Sequence, residues 1–226
     1  ATTAARAARL AQAAEAHCNG VLPVYVIGTE VPVPGGAVEA LDHIQITKPQ
    51  AALATWQVHE ASFQALGLAD ALTRIIALVV QPGVEFGHSE VVHYDPAQAR
   101  DLSATLTQLP GVVFEAHSTD YQRNEGLKAL VRDGFAILKV GPWLTFALRE
   151  ALYALDALGD VLSGQVPQSR LMAAMDQLML QKPAHWQKYY EGSAQGLFLQ
   201  RQFSYSDRIR YYWPDAQAEA AVAQVM

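Results

Sequence analysis

The sequence predicts an α/β fold built on a parallel sheet, and three observations carry that prediction. Four short apolar runs, Val24–Gly28, Ile75–Val80, Val112–Ala116 and Phe135–Val140, are rich in β-branched or aromatic residues, and each ends in turn or polar chemistry. Apart from Glu115 and Lys139 near the ends of the last two, they are apolar rather than alternating, as strands covered on both faces are. Helical patterns lie between them, and alternation of strand and helix makes βαβ units.

The N-terminal stretch ATTAARAARLAQAAEAHC reads as an amphipathic helix; it lacks the apolar region of a secretory signal. Strand Val24–Gly28 runs into Thr29-Glu30 and the Pro/Gly loop Val31–Gly36. Helix Ala51–Leu66 follows, with Leu53, Trp56 and Phe63 as apolar members, and then strand Ile75–Val80. Helix Pro96–Leu109 has its proline in the first turn, where the missing N–H costs nothing. Strand Val112–Ala116, the short helix Asn124–Asp133 and strand Phe135–Val140 complete the alternation. Beyond it, Pro142–Leu158 is a strong helical pattern with Leu144, Leu148, Leu152 and Leu155 as its stripe. Gln168–Leu180, Pro183–Tyr190 and Ala216–Val225 also read as helices. With no linker of low complexity, the simplest organisation is one domain over residues 1–226, with βα units to 158 and a helical extension over 159–226. Four strands are too few for a closed barrel, and a doubly wound sheet and a (β/α) half-barrel both fit. The chain also opens inside a helical pattern without Met, so it is expected to be part of a longer chain.

Bulk properties exclude several classes. Hydrophobic residues make up 51% and charged residues 17% of the 226, a globular composition. A net charge of −6 argues against nucleic-acid binding, which needs concentrated Lys and Arg. The apolar stretch Phe135–Leu148 is broken by Lys139, Gly141 and Pro142, so no membrane span is expected. Cys18, the single cysteine, has no partner for an internal disulfide and fits a reducing, cytoplasmic setting.

Chemistry is expected at the carboxyl ends of the strands, where parallel α/β folds build their sites. These ends carry Glu30; Gln81 with Glu85, His88 and His93 beyond it; Glu115-Ala116-His117-Ser118-Thr119-Asp120; and Lys139. Glu30, His117, Asp120 and Lys139 are the candidate catalytic residues, and Glu30 and His117 the candidate metal ligands. A histidine leaving a strand is a ligand, a proton carrier, or a ring held structurally by its neighbours. Gly141 and Thr145, at a glycine turn before a helix, and the Ser118 hydroxyl are candidate phosphate-binding groups. His17, His43, His59 and His185 read as surface residues. The aromatic and basic segment Phe203–Asp215 reads as packing, with Ser206-Asp207 as a helix start. There is no GxxxxGK[ST], GxGxxG, HExxH or CxxC, so no nucleotide site is expected and any metal site must be assembled from separate strands.

The runs VIGTEVPVPGG, RIIALVVQPGVEF, FEAHSTDYQ, FAILKVGPWLTFALREALYAL and SYSDRIRYYWP closely resemble the non-catalytic Z subunit of class II D-tagatose-1,6-bisphosphate aldolase. The resemblance implies a (β/α)8 TIM barrel of which this chain supplies the C-terminal half, strands five to eight, with a helical extension. It also implies a catalytic Y subunit as partner, an oligomeric assembly, and a role in tagatose 6-phosphate breakdown from galactitol or N-acetylgalactosamine. Alone, such a subunit is not expected to catalyse. An active metal-dependent aldolase or epimerase-like barrel using Glu30 and His117 is the alternative. A tagatose-6-phosphate kinase, a label some members carry, has no support in the motifs. By likeness to the catalytic class II aldolases, His117 falls where a zinc-ligand histidine sits and Glu30 near a metal-site glutamate, while Gly141 and Thr145 fall in the phosphate loop. Zinc or another divalent metal and a sugar phosphate are the implied ligands. Gln81-Pro82 stands where the catalytic enzymes have histidine-glycine, a departure that counts against a complete zinc site. The family's N-terminal segment Gly-Gly-Asp-His-Leu-Gly-Pro is absent.

Overall fold

The computed structural model describes residues 2–29, 44–109 and 111–225. Glu30 and the Pro/Gly loop after it, as well as His43, lie outside the described residues. The chain divides into two compact units. The described residues of the first fall within 2–29, 44–85 and 91–140, and those of the second within 86–90 and 141–225.

The first unit is a parallel sheet with helices. In chain order it holds α1 (Thr2–Ala16), β1 (Tyr25–Gly28), α2 (Pro49–Ala65), α3 (Ala69–Leu72) and β2 (Ile75–Val80). The two-residue strand β3 (Glu85–Phe86) follows at the unit's boundary, its Phe86 belonging to the second unit; the first unit continues with β4 (Val91–Val92), α4 (Pro96–Ala104), β5 (Val113–Ala116), α5 (Asn124–Arg132) and β6 (Ile137–Leu138). The main sheet has the order β1-β2-β5-β6, and every neighbouring pair is parallel. The predicted α/β class and parallel sheet are therefore correct. Register places Leu78 beside Ile27 and Phe114, and Val80 beside Ala116; all five belong to the apolar core shared with Ala52, Phe63, Leu102, Leu130 and Phe135. The alternate residues Ala77, Val79, Val113 and Glu115 share the opposite face, because side chains alternate along a strand.

Local chemistry sets these elements. Asp95 caps α4 by accepting from the Ala97 amide at 2.9 Å, and Pro96 opens the helix. The last residue of β1 is Gly28, where a Cβ would come within 2.6 Å of the Val79 Cβ on the paired strand. Helix α1 buries Ala4, Ala8 and Ala11, and the Arg74 guanidinium forks onto its Glu15 carboxylate at 2.8 and 2.7 Å. That fork, with the Tyr25 hydroxyl, holds the Glu15 carboxyl below its ordinary range.

The second unit is helical: α6 (Trp143–Leu162), α7 (Arg170–Gln181), α8 (Ala194–Phe203) and α9 (Ala216–Ala223), with 3-10 turns at Pro183–His185 and Arg208–Tyr212. Helix α7 is its hub, packing against the other three helices and the second turn. Leu171, Met175, Leu178 and Met179 of α7 meet Leu152, Trp186, Tyr190, Ile209 and Tyr212 in the core. Sequence reading groups α6 with the βα units; in the structure it belongs with the C-terminal helices.

Several expectations needed correction. Pro183–Tyr190 holds a single 3-10 turn, because Trp186 is anchored by its indole N–H to the Met179 carbonyl at 2.7 Å instead of continuing a helix. Asp207 does not cap a helix: it sits in the left-handed region at φ 44° and its side chain points to buried partners. His59 is buried, with Nδ1 facing the Thr55 carbonyl at 2.8 Å. Helix α8, capped by Ser193, was missed because the flanking Gly192, Ser193 and Gly196 read as loop chemistry. Of the predicted Leu stripe on α6, only Leu152 is buried.

Candidate functional site

In the first unit the carboxyl ends of β5 and β6 are joined by backbone bonds. The Lys139 amide donates to the Ala116 carbonyl at 2.9 Å, and both the amide and the hydroxyl of Thr119 donate to the Lys139 carbonyl, at 3.1 and 2.9 Å. This cross-tie holds the segment 117–121 against β6. Within that segment Ser118 and Tyr121 take positive φ values of 53° and 60°, conformations that cost a non-glycine residue of order 1–3 kcal/mol. Strain concentrated in one loop is the kind that marks functional segments. Thr119 and Asp120 between them are buried, Ser118 is half-buried and Lys139 is exposed.

His117 is half-buried, and its Nε2 lies 2.8 Å from the Glu115 carboxylate. The two stand on one side of the strand because they are two residues apart. An ionised carboxylate only accepts, so Nε2 carries the proton and donates; in a neutral ring that leaves Nδ1 with the lone pair. Glu115 thus fixes the tautomer, as carboxylates behind ligating or proton-transferring histidines do. Sequence reading placed both at the strand end but gave a role to His117 alone, although the i, i+2 spacing on a strand was the available signal for the pair.

The end of β2 is used structurally. Gln81 bridges a turn: its side-chain oxygen accepts from the amides of Gly83 and Val84 at 2.8 and 3.0 Å, and its amide donates to the Thr47 hydroxyl at 2.8 Å. Gln122, also missed, accepts from the Tyr94 amide at 3.0 Å and donates to the Val92 carbonyl at 2.8 Å, tying the segment after Asp120 to β4.

In the second unit, Thr145 lies in the first turn of α6 after Gly141-Pro142. Its hydroxyl stands 2.9 Å from the Pro142 carbonyl and 2.7 Å from the Asp207 carboxylate. The fully buried Arg149 donates from Nε to the other Asp207 oxygen at 3.0 Å and from Nη1 to Glu150 at 2.8 Å, and it stacks over Phe146 at 4.3 Å. Burial pushes the Asp207 carboxyl up, while Thr145 and Arg149 pull it down. His88 faces the Ser204 hydroxyl at 3.0 Å and the Tyr190 ring at 5.3 Å; its desolvation lowers the imidazole below its ordinary value. His93 is exposed.

Among the described residues no group of three or more His, Cys, Asp or Glu side chains is placed to hold a metal ion. His117 offers one oriented nitrogen, and Glu30, the other expected ligand, lies outside them. A zinc site takes three or four protein ligands, so the described residues do not by themselves fit one. Ser118 lies in the first unit and Gly141 and Thr145 in the second.

Comparison with known proteins bears on these groups. The family model for the D-tagatose-1,6-bisphosphate aldolase subunit GatZ/KbaZ-like proteins matches residues 1–226. A protein of Agrobacterium fabrum named D-tagatose 6-phosphate 4-epimerase is 53% identical over 225 residues, covering 98% of this chain and 53% of that protein. A Klebsiella pneumoniae protein named D-tagatose-1,6-bisphosphate aldolase subunit GatZ is 50% identical over 226 residues, covering 99% and 53%. A solved structure from Sinorhizobium meliloti 1021, described as a probable tagatose 6 phosphate kinase, superposes with a TM-score of 0.87 at 54% identity, over 99% of this chain and 54% of that one. The chain spans about half the length of the curated relatives it matches.

Proposed function

Because the chain belongs to the D-tagatose-1,6-bisphosphate aldolase subunit GatZ/KbaZ-like family, we propose that it is part of a cytoplasmic accessory subunit of that class II aldolase. In this reading it stabilises the catalytic Y subunit and supports its full activity in tagatose 6-phosphate breakdown. The observation that carries the reading is the match over all 226 residues, joined by relatives named as this subunit at 49–50% identity. These 226 residues supply strands five to eight of a (β/α)8 barrel within a longer chain. Support comes from the all-parallel order β1-β2-β5-β6, whose outer strands β1 and β6 each have one neighbour among the described residues. A parallel sheet left with open edges is a liability that barrel closure removes. Ser118 in the first unit and, taken separately, Gly141 and Thr145 in the second are proposed as groups for a sugar phosphate. No helix among the described residues is long and apolar enough to cross a membrane. The test is the half-life of the catalytic subunit at elevated temperature with and without the full-length accessory protein. Prolonged half-life supports the reading; an unchanged one overturns it.

A second reading has its own observation. The relative named as a 4-epimerase is 53% identical, and the Glu115–His117 pair is an oriented acid–base unit. In that reading the full protein interconverts D-tagatose 6-phosphate and its C4 epimer unaided, with His117 as a proton carrier or metal ligand. Incubating it alone with D-tagatose 6-phosphate, with and without zinc, decides the matter. A kinase would instead consume ATP with this sugar phosphate, and none of the phosphate-loop motifs supports that.

A further inference from the structure

Helix α6 carries an outward face that does not belong in water. Leu144, Leu148, Leu155, Leu158 and Leu162 are 80%, 48%, 46%, 51% and 79% exposed. With Ala151 they are spaced 4, 3, 4, 3 and 4 residues apart, the repeat of a helix-packing seam. The charged residues of α6 are Arg149, Glu150, Asp156 and Asp160. All but Glu150 are buried, and Glu150 is paired with Arg149. A solvated helix face carries polar and charged residues, and contiguous exposed apolar surface marks a contact site.

The flanks of the seam say what kind of contact. Positions beside the leucines hold Ala147, Ala154, Val161, Thr145 and Gly159. Free-standing coiled coils carry charges there to set partner, register and direction. Small, uncharged flanks allow close approach but choose no partner, which suits a segment whose register is set by tethering. Relatives have such a segment available: this chain covers only 53% of them and 54% of the solved structure's chain.

We propose that the leucine seam of α6 is the seat of an apolar helix from the half of the polypeptide that lies outside these 226 residues. The inference rests on the reading of the chain as part of a longer barrel protein. The occupant is an amphipathic helix long enough to match the roughly 30 Å of α6, presenting large apolar side chains at the same 3-4 spacing.

The test uses the full-length polypeptide with Cys18→Ser, any cysteine outside these 226 residues replaced by Ser, and one cysteine introduced by Leu148→Cys, Leu155→Cys or Leu158→Cys, labelled with a maleimide. All three sites should label about 100-fold more slowly than in the denatured chain, as expected for groups reached only through local opening. Protection should be independent of protein concentration. Rapid labelling overturns the proposal. So does protection that appears only at high concentration, which would make the occupant a second copy, or only on adding the catalytic subunit. Hydrogen exchange at Tyr25–Gly28 and Ile137–Leu138 in the same protein reads the barrel separately. Slow exchange there with fast labelling on α6 sinks this inference alone, and fast exchange at both strands sinks the barrel reading itself.

Discussion

The two units of this protein are held together by different kinds of interior. In the first, Ile27, Leu78, Val80, Phe114 and Phe135 form a core of apolar side chains between the sheet and its helices. In the second, buried polar groups are paired: Arg149 with Asp207, Arg201 and Gln202 with Asp176, and Asp156 and Asp160 with the backbone amides of Leu171 and Gln168. An apolar core loses stability in proportion to the volume removed, whereas a buried polar cluster fails when one partner is left unpaired. The candidate phosphate group Thr145 hangs on the second kind, and the His117 segment on strands secured by the first.

The sharpest break in this comparison is Arg149→Ala. It leaves Asp207 buried without its cation and should cost about 3–5 kcal/mol in denaturant unfolding, while Glu150→Ala at the exposed end of the same network should cost about 0–1 kcal/mol. Equal effects would show that the cluster is not a buried network. In the first unit, Leu78→Ala should cost about 2–5 kcal/mol without any change in the pH dependence of unfolding. A smaller loss is expected from Glu115→Gln, about 0.5–1.5 kcal/mol. Its diagnostic signature is the 15N spectrum of His117, which should pass from one tautomer to a mixture. A single tautomer retained in the variant would contradict the assigned role of Glu115.

The smallest effect is a pH dependence. Desolvation lowers the His88 imidazole in the folded state, so the unfolded chain takes up the proton first as the pH falls. Its contribution to stability is therefore complete above the ordinary value of about 6.5 and declines below it. Melting midpoints between pH 7.5 and 5.5 should fall more for the native protein than for His88→Gln. Equal falls would place the dependence elsewhere.

This contrast also decides what was legible in the sequence. Continuous apolar runs report strands directly, so β1, β2 and β5 were found close to their observed bounds, although the last strand shrank to Ile137–Leu138. Buried charge is invisible to the same reading: Arg149, Asp207 and His59 carry polar side chains in helical or turn contexts, where a solvent-facing position is the default. The left-handed conformations of Ser118 and Asp207 leave no mark in residue type, and the Asp207 side chain is held by Thr145 and Arg149, far away in sequence. His117 was found because a histidine at a strand end is conspicuous. Glu115 was given no role because a glutamate inside an apolar run looks like a surface interruption. The α6 leucines misled, since a helical stripe ordinarily marks a core, and here all but Leu152 face outward.

The most direct test of the accessory-subunit account is aldol cleavage of D-tagatose 1,6-bisphosphate by three samples: the full-length protein alone, the catalytic subunit alone, and the two mixed. The account predicts no turnover from the first and a higher, longer-lasting rate from the mixture than from the catalytic subunit. Cleavage by the full-length protein alone, or a mixture no more active than the catalytic subunit, would contradict it.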